Sequence, residues 1–318
     1  MRDDLFVVTG ASGHIGRRLA ELLLEGHRRV RVVARREEPL RALEAHGAEA
    51  LPGDLKDPEF ARRAFAGAHA AFTMLPPILA EQDLRGLQNQ LSEALAYGLR
   101  EARVPYVVNL SSIGAEVPYG TGPIAGLHDH EERLDRLDGV NIVHLRPTSF
   151  MENHLHAVAA VRQAGIYPGT FRSDLPIPMI AAADIAQDAA RLLAGLEFEG
   201  KSTRSLLGAR DYTMAEAAHV LGSAIGKPEL SYVEVTDEQA HQAMVAQGFP
   251  AHMADVMLEM NRAFNSGKIR PEEPRLPDNT TFTTLESWAP HFADAYRRLE
   301  HPHHHAAPPP AGSTPAGG

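Results

Sequence analysis

The sequence predicts an α/β protein built on a Rossmann-type, doubly wound parallel sheet, with a smaller, mostly helical C-terminal part for a substrate. Three observations predict it. Val7 and Val8 lead through Thr9 straight into Gly10-Ala11-Ser12-Gly13-His14-Ile15-Gly16, a G-x-x-G-x-x-G turn. A helix and a second strand complete a βαβ unit within about 30 residues. Strand-like and helix-like stretches then alternate as far as residue 145, the layout of a parallel sheet with helices on both faces.

In the turn, Gly10 lets the chain leave the strand sharply, Gly13 lets backbone N–H groups approach a pyrophosphate, and Gly16 lets the next helix pack close to the sheet. Phosphates are expected at that helix's N-terminus, where unpaired N–H groups and the helix dipole favour an anion. Ser12, His14 and Ile15 are expected in the same contact. Leu19, Leu22 and Leu23 at helical spacing, with a stop at Gly26, place the first helix over 17–25, and Val30 to Ala34 is the second strand. At the end of that strand an acidic side chain takes the ribose hydroxyls of NAD, whereas a basic one accommodates the 2′-phosphate of NADP. Arg35-Arg36 stands there. Forked guanidinium donors match phosphate oxygens, so NADP(H) is the expected cofactor and Arg35 its ligand. A solvated loop in which Glu37 and Glu38 balance the arginines is the plainer alternative.

A third strand is expected over 51–55 and a helix over 58–66. Asp54, beside Leu55, is placed to accept from an adenine amino group; the alternative is a turn or N-cap aspartate. A fourth strand over 68–75 ends in Thr73-Met74-Leu75-Pro76-Pro77, where Met74 and Leu75 face the cofactor. After a long helix over 82–102, a fifth strand over 106–110 ends at Ser111-Ser112. Capping of the loop that follows is the local reading of both serines. A sixth strand over 141–145 leads to Arg146-Pro147.

The 318 residues suffice for a Rossmann part over 1–150 with a returning segment about 180–210, a substrate part over 151–300 and a disordered tail over 301–318. The net charge of −10 argues against nucleic acid and against an anionic membrane surface. Zero cysteines remove disulfides, thiolate metal sites and cysteine nucleophiles. With no signal-type or bilayer-length apolar run, the protein is expected to be soluble and cytoplasmic. The tail histidines 301 and 303–305 lack the fixed geometry a functional metal needs, so none is expected.

Together the glycine turn, Arg35-Arg36, Gly53-Asp54-Leu55, Leu110-Ser111-Ser112 and Arg146-Pro147-Thr148-Ser149-Phe150-Met151-Glu152-Asn153 resemble the NmrA-like branch of the atypical short-chain dehydrogenase/reductases over roughly residues 5–235. That resemblance implies NAD(P)H-dependent reduction, of quinones among other acceptors, or dinucleotide binding by a redox sensor without chemistry; it also implies that Ser111 meets the cofactor and Ser112 the reacting carbonyl. The Tyr-x-x-x-Lys pair of the wider superfamily is missing: Tyr119 is followed four residues on by Pro123. Tyr119 is therefore a poor acid, with no lysine to lower its pKa.

In its place stands Leu127-His128-Asp129-His130-Glu131-Glu132, which resembles the His-x-x-x-Glu pattern of NmrA-like chains. On a helix His128 and Glu132 share one face, so a neutral His128 is expected to donate to a substrate carbonyl or the ribose, oriented by Glu132. His130 faces elsewhere. The bland alternative makes His128 a packing residue and both glutamates first-turn acids. Phe150, Met151 and Asn153 are assigned to the substrate pocket, against a plain core role.

Further on, 167–179 reads as a Pro- and Gly-rich loop and 183–196 as a helix capped by Asp184. A seventh strand follows over 204–208. Thr213 and Thr236 open helices with capping boxes, and Gly248-Phe249-Pro250 divides a Met-rich segment carrying Met244, Met253, Met257 and Met260. Those methionines suit an adaptable pocket, plain core or a dimer surface. The family resemblance implies a last helix over 284–298, carrying Trp288. The expected function is an NADPH-dependent reductase of a small quinone-like or aromatic carbonyl substrate; a non-catalytic NADP(H) sensor and a non-redox tailoring enzyme are the alternatives. The partner is a small molecule, with a homodimer open.

Overall fold

The computed structural model describes residues 4–76 and 83–299. The first half alternates strand and helix: β1 (Leu5–Thr9), α1 (His14–Glu25), β2 (Arg29–Ala34), α2 (Arg41–Ala45), β3 (Glu49–Pro52), α3 (Pro58–Phe65), β4 (Ala68–Met74), α4 (Leu84–Ala102), β5 (Tyr106–Leu110), α5 (Ile124–Asp135) and β6 (Asn141–Pro147). Then come β7 (Ser149–Phe150), a 3₁₀ helix (Met151–Ala157), α6 (Val158–Ala164), β8 (Tyr167–Gly169), β9 (Ile177–Ile180), α7 (Ala182–Gly195) and β10 (Lys201–Leu206). The chain ends with β11 (Asp211–Tyr212), α8 (Met214–Ala224), β12 (Tyr232–Glu234), α9 (Asp237–Ala246), α10 (Ala251–Asn265) and α11 (Leu285–Arg298).

Seven strands form one sheet in the order β10-β6-β5-β4-β1-β2-β3, every pair parallel. Its central strands are apolar on both faces because helices cover both. On one face Val8, Val32 and Phe72 pack against Leu19 and Leu23 of α1 and Ile185 and Leu193 of α7. On the other, Val7, Ala71 and Val107 meet Phe60 and Phe65 of α3, Leu95 and Leu99 of α4 and Leu134 of α5. A third core joins Met151, Val161, Met179, Tyr212 and Leu221 to Leu285, Trp288 and Phe292 of α11.

Several expectations are corrected. β3 stops at Pro52, not at Leu55; the Phe60 ring fills the space a Gly53 side chain would need, so the chain turns away there. The expected loop over 167–179 contains β8 and β9, which exist because β12 and the pair β7 and β11 lend them ladder partners, a tertiary contribution that local propensity does not carry. Asp184 does not cap α7: the N-cap is Ala181, and the Asp184 carboxylate accepts from the Thr283 N–H and hydroxyl. The α7 N-terminus is served from afar, since Glu152 accepts from the Ala182 N–H at 3.1 Å, a carboxylate where the helix dipole favours one. Both capping boxes, at Thr213 and Thr236, form as expected. Gln82, Pro77 and the tail 301–318 lie outside the described residues.

Candidate functional site

From β1 the strand order runs outward through β2 to β3, then restarts on the other side of β1 at β4. At such a reversal a crevice opens beyond the C-terminal ends of the strands. Gly10 follows β1, Arg35 follows β2, Gly53-Asp54 follows β3, Met74 ends β4 before Leu75, and Ser111-Ser112 follows β5. The topology thus brings the residues singled out in the sequence to one edge.

At that edge Gly10 has φ +64°, and a Cβ on it would lie 2.5 Å from the Met74 sulfur. Glycine is required twice over: for the left-handed backbone and for the packing of Met74 against the turn. The Gly13 N–H donates to the Gly10 carbonyl at 3.0 Å. A Cβ on Gly16 would stand 2.7 Å from the Gly10 carbonyl carbon, so α1 is seated directly against the turn. Gly13 is the N-cap of α1 without a side-chain cap, and the first helical turn holds no acid. Ser12, Gly13 and His14 are exposed, whereas the Ile15 side chain is buried and leaves only its backbone to the turn. Uncapped N–H groups at an exposed helix start are the donor set a pyrophosphate needs.

Among the described residues neither Arg35 nor Arg36 has a hydrogen-bond or ion-pair partner; both are exposed, and Glu37 turns instead to Arg41. Asp54 is exposed and forms a turn, its carboxylate accepting from the Lys56 N–H at 3.0 Å with the Lys56 ammonium 3.7 Å away. Asp57, not Asp54, caps α3. Leu55 packs half-buried against the α3 side of the sheet.

Beyond β5 the Ser111 hydroxyl is buried without a partner among the described residues, and the Ser112 hydroxyl donates to the Ile113 carbonyl at 2.9 Å, within its own loop. His128, on α5, holds that loop: Nδ1 lies 2.7 Å from the Ala115 carbonyl. A carbonyl only accepts, so Nδ1 carries the proton and Nε2 of the neutral ring is an acceptor. This corrects two expectations. The neutral ring has no second donor for a substrate carbonyl, and Ala115 rather than Glu132 orients it, since Glu132 pairs outward with Arg136 at 3.5 Å. His130 does face elsewhere: it is fully buried with Nδ1 2.7 Å from the Ser92 hydroxyl. Burial, then the charges of His144 and Arg133, push its pKa down to about 3.

Two ion pairs brace α5 that the sequence reading missed. Asp129 takes the Arg85 guanidinium in a fork at 2.7 and 2.8 Å; this bond and a second from Asn89 hold its carboxyl below the usual range against the opposing effect of burial. The buried Arg146 at the end of β6 is forked onto Glu131 at 3.0 and 2.6 Å and shared with Glu116 and Glu272. A lone arginine closing an apolar strand run was the available signal, because a buried guanidinium requires carboxylate partners.

α10 roofs the β5–α5 loop. Ile113, Ala115 and Ile124 pack with Ala263, Ile269, Met260 and Phe264, and a Cβ on Gly122 would lie 3.0 Å from that of Met260. A cavity of about 470 Å³ opens beside this contact, lined by Glu116 and Val117 of the loop and by Gly267, Lys268, Arg270, Pro271 and Glu272 after α10. Met151 is fully buried in the third core, Phe150 packs half-buried against the sheet, and Asn153 is exposed. Met253 is core, while Met257 and Met260 are half-buried on α10. Among the described residues no helix is long and apolar enough to cross a membrane, and no group of three His, Cys, Asp or Glu is arranged to hold a metal ion.

Comparison with known proteins agrees with this architecture. The chain is 28% identical over 258 residues to an NAD(P)H azoreductase of Xenophilus azovorans, covering 80% of this chain and 86% of that protein. It is 24% identical over 290 residues to quinone oxidoreductase 2 of Escherichia coli K12, covering 89% and 97%. The fold is shared with the NADPH complex of the E. coli quinone oxidoreductase QOR2 (TM-score 0.77, 22% identity, 90% of this chain and 99% of the other). It is shared equally with the NADP(H) complex of a Citrobacter sp. triphenylmethane reductase (TM-score 0.77, 21% identity, 91% and 100%). The sequence profile of the NmrA-like family matches residues 2–289, and the chain belongs to that family.

Proposed function

We propose that the chain is an NADPH-dependent reductase that passes hydride to a small quinone-like or aromatic carbonyl acceptor. The observation that carries this reading is the uncapped glycine turn at the point where the strand order reverses, with Arg35 at the end of β2 unpaired among the described residues. Relatives named as an azoreductase and a quinone oxidoreductase support it.

NADPH, when bound, supplies the hydride. The N–H groups of His14, Ile15 and Gly16, the first turn of α1, hold its pyrophosphate and Arg35 its 2′-phosphate. Met74 and Leu75 back the dinucleotide at the end of β4. His128, fixed by Ala115, offers Nε2 as an acceptor to a ribose or product hydroxyl, and Ser112 can leave the Ile113 carbonyl to donate to an acceptor oxygen. A reduced quinone oxygen takes its proton from water, so the missing Tyr-x-x-x-Lys pair is no obstacle.

The test is NADPH oxidation with a panel of quinones and aromatic ketones, followed by loss of reduced-nicotinamide absorbance. Turnover is expected with at least one quinone, falling about tenfold in Ser112→Ala and in His128→Ala, the scale of one lost hydrogen bond. Full turnover in both variants would remove these two assignments. Tight NADPH binding with no oxidation across the panel would favour the redox-sensor reading.

A further inference from the structure

We propose that Tyr119 is the stacking platform for a planar aromatic acceptor, on the β5–α5 loop whose Glu116 and Val117 line the cavity beside α10; this rests on the reductase reading above. Tyr119 is 68% exposed, although the other tyrosines and the tryptophan of the described chain are buried or half-buried. Its ring carries a cation on one face and its backbone is tied to the segment after α10. The Arg85 guanidinium lies 5.2 Å from its centroid, and Asp129, next to His128, clamps that guanidinium. The Tyr119 carbonyl accepts from the Lys268 ammonium, and Lys268 with Val117 lines the cavity.

A cation on one face leaves the other face for a flat ring to stack on. The loop carrying Tyr119 begins at Ser111-Ser112, and its Ala115 carbonyl is pinned by His128. The platform and the residues assigned to the reacting oxygen thus sit on one braced loop. The neighbouring cavity of about 470 Å³ is lined by Glu116, Lys268, Arg270 and Glu272, which suit the polar edge of an acceptor and leave its flat face to Tyr119.

The experiment measures menadione binding to the NADP⁺-loaded protein by equilibrium dialysis, in wild type, Tyr119→Phe and Tyr119→Ala, with NADPH turnover followed in parallel. Expected is binding in the wild type, retained in Tyr119→Phe and weakened about three- to tenfold in Tyr119→Ala, with a matching rise in KM and little change in kcat. Tyr119→Phe keeps the ring and lacks the hydroxyl, so its retention separates stacking from hydrogen bonding. Equal binding in Tyr119→Ala, or no menadione binding in the wild type, would overturn the platform. The expected binding pattern with no NADPH oxidation by menadione or by any member of the quinone and ketone panel would instead overturn the reductase reading and leave the platform standing.

Discussion

Two glycines three residues apart are held for different reasons, and methylating each in turn separates folding from cofactor binding. In Gly16→Ala the new Cβ would stand 2.7 Å from the Gly10 carbonyl carbon. Non-bonded carbons prefer about 3.5–4.0 Å, so α1 must retreat by about 1 Å. Overpacking of that kind costs about 1–3 kcal/mol, and alanine's advantage over glycine inside a helix returns about 0.5–1 kcal/mol. A net loss of about 1–2 kcal/mol is expected, together with a loss of NADPH affinity of tenfold or more as the helix start withdraws. Gly13→Ala differs. Its φ of −93° suits any residue, and its Cβ would meet only the Gly10 oxygen, at an ordinary 3.4 Å. Its stability should stay within about 0.5 kcal/mol of wild type, while NADPH affinity falls about tenfold because the methyl occupies the space the phosphates approach. Urea unfolding and NADPH fluorescence titration of both variants read the two quantities. Wild-type affinity in Gly13→Ala would refute the placement of the pyrophosphate against this turn.

Arg35→Ala should lower NADPH affinity about tenfold, the scale of a charge-assisted hydrogen bond, and leave NADH affinity unchanged; equal NADPH and NADH affinities in the wild type would refute the cofactor assignment. Acidification should destabilise the fold above the usual carboxylate range. His130 and His154 are held neutral by burial, with pKa values pushed down to about 3 and about 4. The unfolded chain takes up these protons from about pH 6.5 downward, so stability present above pH 6.5 is lost as the pH falls towards 4, at about 1.4 kcal/mol per pH unit for each histidine. Urea midpoints between pH 7 and pH 5 should show this slope, and His154→Phe should reduce it; an unaltered slope would assign the effect elsewhere. Arg146→Ala should cost about 3–5 kcal/mol, because it strands Glu131, which is 6% exposed, without its counter-charge. The milder Arg146→Met, Glu131→Gln pair should recover part of that in thermal unfolding.

What could be read from the sequence was local. The glycine turn, the strand that feeds it, Arg35 and the capping boxes at Thr213 and Thr236 are each specified within a few residues, and each stands where expected. The partners of the site residues were not legible, because loops and strand pairings far along the chain supply them. His128 is oriented by a backbone carbonyl 13 residues earlier, a group that carries no sequence identity. The expected Glu132 partner had the right helical spacing but points to solvent. Asp184 looked like a cap by position, yet α7 is capped by Glu152 from 30 residues away, and Asp184 is spent on Thr283. Asp54 was read with a turn alternative, and its hydrogen bond to the Lys56 N–H is that turn.

The Glu152 carboxylate does more than finish α7. It also accepts from the indole N–H of Trp288 at 3.2 Å, and Trp288 is the only tryptophan in the chain. One carboxylate therefore ties a helix packed on the sheet to α11 in the third core, and the sole strong intrinsic fluorophore sits on the knot. The sheet and the helical part are thereby expected to melt as one cooperative unit, and tryptophan emission is a built-in gauge of that coupling. Emission that changes ahead of the far-ultraviolet circular dichroism would reveal the helical part coming away first.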